Sequence, residues 1–173
     1  MYDYREYLGF SKRLFRLAED EIEETNWLLI PSVLLAWIAI EALINSMVDD
    51  FSSLPEDLFE IHERAFLLEK RLILVDAGAD LGKFKLDTRP EYRRLEEKIF
   101  FLIRKFSKKD EDYKGSSLWQ DFQLLKEVRN KIAHPRKEDH LELNLEDVAK
   151  HINTAEEIIG FVSTRVWGRP ARI

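Results

Sequence analysis

Along most of this chain apolar residues recur every three or four positions, and short polar stretches separate the segments that carry this rhythm. That is the pattern of amphipathic helices sharing one core. Six glycines and five prolines in 173 residues leave the segments long and largely unbroken. A first helix is predicted over Tyr4 to Glu24, with Leu8, Phe15 and Ile22 at heptad spacing. A second is predicted from Pro31, a residue suited to a first helical turn, to near Asp50. Its continuous apolar character places it at the centre of the core. Ser52-Ser53-Leu54-Pro55-Glu56 reads as a stop and a new start, giving a third helix from Pro55 to Ala77 that Gly78 closes as a C-terminal cap.

Residues Asp80 to Asp87 read as a loop. A fourth helix opens with Pro90 in its first turn and carries Tyr92, Leu95, Ile99, Leu102 and Phe106. The stretch from Ser107 to Gly115 is a polar loop. The fifth helix starts at Ser116 or Ser117, either a good N-cap, and runs to His134-Pro135. The last is capped by Asn144, with Glu146 and Asp147 favourable to the dipole in its first turn. Val148, Ile152, Ala155, Ile159, Val162 and Val166 form its stripe. No strand alternates convincingly and no repeat is visible. The expectation is one all-α domain over residues 1–173, a helical bundle of five to six helices, with residues 168–173 as a frayed tail.

Composition supports a folded, soluble chain: 45% of residues are hydrophobic and 35% charged. There are no cysteines, which rules out disulfides, thiolate zinc ligands and a cysteine nucleophile, and suits the cytoplasm. The opening Met1-Tyr2-Asp3-Tyr4-Arg5-Glu6 lacks the apolar core of a signal peptide. Trp27 to Ile40 is the most membrane-like segment, but its 14 residues suit a core helix better than a span. Acidic pairs, Glu23-Glu24 and Asp49-Asp50, flank it where anchoring cations would be expected. A cytoplasmic protein without a membrane partner is expected.

The net charge of −6 counts against general affinity for nucleic acid. The distribution is less hostile. From Lys126 to Lys137 there are five cations against Glu127, and from Arg89 to Lys109 eight cations against three glutamates. These stretches read either as local basic surfaces or as ordinary solvated helix faces.

The most informative chemistry is Arg129-Asn130-Lys131-Ile132-Ala133-His134-Pro135. Histidine moves protons near neutral pH. Arginine holds developing negative charge on phosphorus with a planar fork of donors. Projected at about 100° per residue, Trp119, Phe122, Leu125, Arg129 and Ile132 share one face of the fifth helix. A guanidinium in that stripe needs a partner. Glu41, the one charge interrupting the second helix, is the best candidate. The pair reads equally as a structural ion pair or as a carboxylate orienting an arginine at the rim of a site.

A regular helix would separate Arg129 and His134 by about 140°. Pro135 disfavours helical backbone at His134, so the helix should end there and release the imidazole. Two copies of the motif across a two-fold axis would bring two histidines and two arginines around one phosphate. Lys126, Lys131, Arg136 and Lys137 are the candidate RNA contacts.

Other residues offer less. His62, His140 and His151 have no metal-ligand spacing, with His151 expected at the surface or rim, and no metal or cofactor is expected. Trp27, Trp37, Trp119 and Trp167 read as core or interface anchors. Gly78 and Gly82 do not make a phosphate loop, and the strands of a nucleophile elbow are missing.

The Arg-Asn-x-x-x-His stretch followed by Pro, ending a helix in a chain of this size, resembles the HEPN superfamily (higher eukaryotes and prokaryotes nucleotide-binding). Ala36-Trp37-Ile38-Ala39-Ile40-Glu41-Ala42-Leu43-Ile44-Asn45 is similar to that family's acid-interrupted core helix, and Leu67 to Lys70 to its next helix. The resemblance spans roughly Ser11 to Phe161. It implies a helical homodimer whose Arg-x4-His motifs meet at the interface. Many members are metal-independent endoribonucleases of toxin–antitoxin or antiviral systems, controlled by an antitoxin or regulatory protein. The implied catalytic positions are Arg129, Asn130 and His134, with Glu41 a looser match. One subgroup carries a modifiable tyrosine two residues after the histidine, where this chain has Arg136. Other members are non-catalytic binding or assembly modules, which is the alternative expectation.

Overall fold

The computed structural model describes residues 3–20, 26–52, 58–107, 113–136 and 141–171. Among them are six α-helices and one antiparallel hairpin: α1 (Tyr4–Asp20), α2 (Asn26–Ser52), α3 (Ile61–Leu67), β1 (Lys70–Leu74), β2 (Phe84–Pro90), α4 (Leu95–Phe106), α5 (Ser117–Ala133) and α6 (Leu145–Trp167). A 3₁₀ turn, Tyr113–Gly115, precedes α5. The chain divides into two compact units, Met1–Leu43 with Leu102–Ile173, and Ile44–Phe101.

The first unit is built on α6, whose predicted stripe of Val148, Ile152, Ala155, Ile159, Val162 and Val166 is buried throughout, together with Ile158. The Asn144 side chain caps it by accepting the N–H of Asp147 at 2.8 Å. Lys12 of α1 pairs with Glu156 at 2.6 Å, and Asp121 of α5 with Lys150 at 2.6 Å, so α6 is tied on two sides. The α1 contribution rests on small side chains as well as Leu8: Ser11 and Ala18 are buried, while the predicted Phe15 is only half-buried and Ile22 lies outside the described residues. The Ser11 hydroxyl donates to the Ser32 carbonyl at 2.8 Å, and the Ser32 hydroxyl donates back to the Ser11 carbonyl at 3.1 Å. Tyr113 stacks on Phe161 with ring centroids 4.8 Å apart.

α2 begins at Asn26 and carries Pro31 inside the helix, one turn later than a first-turn proline would sit. The missing N–H therefore falls within the helix, and the flanking buried residues Leu28, Leu29, Val33 and Ala36 hold the segment helical against that loss. The consequence is a helix long and apolar enough, by length and composition, to cross a membrane, with 56% of the relevant window buried inside the protein. The length argument drawn from the 14-residue segment Trp27 to Ile40 does not apply to the whole element.

The second unit departs most from expectation. A third helix over Pro55 to Ala77 was predicted; α3 covers only Ile61–Leu67, and residues 53–57 lie outside the described residues. The chain leaves α3 through Glu69, whose φ of 52° is left-handed, and enters β1. Leu74 pairs with Phe84, Ile73 with Lys85 and Leu72 with Leu86. The Asp80 to Asp87 segment is thus partly strand, and the fold is helix-dominated without being all-α. Gly78 and Gly82 explain the difference, since both have positive φ (86° and 83°) and shape a turn where one of them had suggested a helix cap. Val75 N–H donates to the Lys83 carbonyl at 2.9 Å, and Gly82 N–H to the Val75 carbonyl at 2.8 Å, closing the hairpin. A short apolar run such as Leu72-Ile73-Leu74-Val75 fits either element by periodicity.

Pro90 closes β2 opposite Lys70, and α4 starts five residues later, with Glu97 accepting the N–H of Arg94 at 3.1 Å. Phe51, Phe59, Phe66 and Phe101 form the aromatic core of this unit, neighbouring centroids lying 5.2 to 6.2 Å apart.

Candidate active site

The fifth helix ends where the proline predicts. The Ser116 hydroxyl accepts the N–H of Trp119 at 3.2 Å to start α5, and Ala133 is its last residue. His134 follows with φ −137° and ψ 62°, outside the helical region, as the ring of Pro135 demands. Its N–H still donates to the Asn130 carbonyl at 2.9 Å. The backbone is thereby tied to the last turn, and the residue is exposed.

A surface groove of ≈ 450 Å³ lies here, lined by Glu127, Asn130, Lys131, His134 and Arg136. The first three stand at positions i, i+3 and i+4 of one helical face, and the released histidine extends that row. Two cations and an imidazole against one carboxylate make the groove suited to an anion.

Arg129 occupies the neighbouring face. Its Cζ lies 5.6 Å from the centroid of the Trp37 ring, which also stacks on Phe122 at 5.4 Å and 12°. Trp37 and Phe122 are both buried, so the guanidinium rests on a rigid aromatic slab. Arg129 Nη2 stands 3.8 Å from Glu41 Oε1, an ion-pair distance beyond hydrogen bonding. That Glu41 oxygen accepts the indole N–H of Trp37 at 2.6 Å. Arg129 Nη1 donates to Asn130 Oδ1 at 3.2 Å. Side-chain exposures of 29% for Arg129 and 37% for Glu41 put the pair at a rim with partial solvation, where Coulomb attraction contributes about 1 kcal/mol or less.

Within one chain, then, Arg129 is brought to Glu41, Trp37 and Asn130, and His134 shares the groove with Asn130, Lys131 and Arg136. Arg129 does not line the groove; Asn130 touches both groups. Lys126 is half-buried and also outside the lining, and Lys137 lies outside the described residues.

The sequence places Trp37 on the same helical face as Glu41, but its role as hydrogen-bond donor to that carboxylate is visible only in the structure. Glu127 entered only the charge count, although it heads the face that leads to His134. His62 pairs with Glu60 at 3.3 Å, and His140 lies outside the described residues. His151 is buried on α6, not at the rim, because it adjoins the stripe residues Val148 and Ile152; burial lowers its pKa from the usual 6.5. Trp27 and Trp167 are exposed, unlike the buried Trp37. Among the described residues no group of three or more His, Asp or Glu side chains is placed to hold a metal ion. Comparisons with protein-family models, curated proteins and solved structures find no match to this chain.

Proposed function

We propose that this protein is a metal-independent endoribonuclease of the HEPN, Arg-x4-His type, acting as a homodimer. One observation carries the proposal: Pro135 turns His134 out of α5 into a cation-bearing groove beside Asn130, while Glu41 and Trp37 hold Arg129 at the adjoining edge. In the proposed reaction a ribose 2′-hydroxyl attacks the adjacent phosphorus. The new O–P bond closes a 2′,3′-cyclic phosphate as the bond to the 5′-oxygen breaks. His134 takes the 2′-hydroxyl proton, and a second copy of the same histidine returns one to the leaving 5′-oxygen. Arg129 balances charge on the phosphorane, Asn130 positions the phosphate, and Lys131 and Arg136 attract the strand. Two copies are required by this reading because one chain keeps Arg129 out of the groove that holds His134. The biological setting that accompanies the resemblance is a cytoplasmic toxin or antiviral effector under an antitoxin or regulatory protein.

The test is incubation of the purified protein with structured and single-stranded RNAs in chelator, with His134→Ala alongside. Cleavage by wild type alone, leaving 2′,3′-cyclic phosphate and 5′-hydroxyl ends, is expected. RNA left intact across the substrate range, or equal cleavage by the variant, overturns the proposal. The second reading, a non-catalytic binding or assembly module, is favoured by one observation, the engagement of Arg129 with Asn130 and Glu41 outside the groove. It predicts RNA binding or self-association without cleavage.

A further inference from the structure

The second unit contains a groove of its own, ≈ 620 Å³, between α3, the base of the hairpin, the segment that leads into α4 and Phe101 of that helix. We propose that it binds a ribonucleotide, either free or as one unit of an RNA strand. Three kinds of chemistry converge there. Phe66 and Phe101, with centroids 5.3 Å apart, supply an aromatic wall, and the Arg93 guanidinium lies 5.4 Å above the Phe66 ring. A guanidinium on an aromatic face is a stacking surface for a base. Lys70 and Arg71 add positive charge from β1, and neither side chain has an acidic partner among the described residues.

Neighbouring strand residues ordinarily face opposite sides. Here the register shifts between Lys70 and Leu72, because their partners Pro90 and Leu86 stand four positions apart on β2. Such an irregularity re-aims a side chain, which accounts for both cations lining one groove. Glu91 and Glu63 line it too, and Glu91 already accepts from Arg93 at 2.5 Å. Carboxylates oppose a bare phosphate or an acidic peptide. They suit ribose hydroxyls and exocyclic amines, which donate hydrogen bonds. Cations for phosphate, an aromatic wall for a base and carboxylate acceptors for hydroxyls together describe a ribonucleotide. The frame is built to hold this arrangement: the Arg93 backbone N–H donates to Glu69 at 3.0 Å, and the buried Lys98 pairs with the same Glu69 oxygen at 3.0 Å.

This site is independent of the nuclease proposal, and its test uses the His134→Ala protein so that no RNA is consumed. Titration calorimetry is run with the four ribonucleoside 5′-monophosphates, their deoxy counterparts, inorganic phosphate and a single-stranded trinucleotide. Saturable ribonucleotide binding is expected, weakened about tenfold by Arg93→Gln and by Lys70→Gln with Arg71→Gln, the scale of one lost charge-assisted contact. Lys83→Gln, on the hairpin but outside the groove, should bind as the parent does. Circular dichroism establishes folding, and the exposed Lys70 and Arg71 positions keep the test decisive if Arg93→Gln unfolds. Tighter trinucleotide binding assigns the groove to RNA, and tighter mononucleotide binding to a free nucleotide. No saturable binding, unchanged binding in the Lys70/Arg71 variant, or equal binding of inorganic phosphate overturns the proposal.

Discussion

The indole N–H of Trp37 donates to Glu41 at 2.6 Å, one helical turn away, and so pins the carboxylate that faces Arg129. Glu41 is the fixed partner of that ion pair. Arg129, at 3.8 Å and partly solvated, has room to move toward a phosphate without stranding a buried charge.

Trp37→Phe should retain the stack on Phe122 and lose the donor to Glu41, destabilising the protein by about 1 kcal/mol. Urea denaturation of Glu41→Ala, Arg129→Ala and the double variant should give a coupling energy below about 1 kcal/mol. A coupling above about 2 kcal/mol would mark a purely structural ion pair, in conflict with a mobile arginine.

Replacing His134 by alanine should shift the denaturation midpoint very little, since the side chain is exposed, while abolishing RNA cleavage. Pro135→Ala is the more searching change. It lifts the restriction on His134, lets α5 run on and changes the backbone conformation that carries the imidazole. Backbone chemical shifts at residues 133–136 should become helical and the cleavage rate should fall at least about tenfold. Helix extension with undiminished cleavage would show that release of the histidine is irrelevant.

Stability should depend on pH through His151. Burial lowers its folded pKa below 6.5, with Asp147 and Asp121 opposing that shift and Lys150 adding to it. The unfolded chain therefore binds a proton more readily than the folded one. Its contribution is fully present above the unfolded value and is lost as pH falls toward the folded value. Thermal melts should show a midpoint that declines from about pH 7.5 to about pH 5. His151→Gln should flatten that decline, and an equal slope in the variant would assign it to other groups.

The reciprocal bonds of Ser11 and Ser32 are both buried, so each hydroxyl ties α1 to α2 without help from water. Ser11→Ala and Ser32→Ala should each destabilise by about 1–2 kcal/mol in chemical denaturation. Substitutions that leave the midpoint unchanged would mean that the apolar contacts of α1 suffice.

Residue order alone determined the long helices and two of their ends. The period of α6, the cap at Asn144 and the break at His134-Pro135 are local properties, set by side-chain spacing, hydroxyl or amide caps and the sterics of proline, and they need no partner to be legible. The neighbourhood of Arg129 and Glu41 was legible in part, because a charge in an apolar stripe must meet another. Tertiary structure decided what periodicity leaves ambiguous. The run Leu72 to Val75 pairs as strand because two positive-φ glycines fold it against Phe84–Pro90, a choice made by non-local hydrogen bonding. Only packing put Trp37 between Phe122 and Arg129, buried His151, and set Arg93 and Phe101 in one groove with the cations of β1, since each depends on segments distant in the chain meeting.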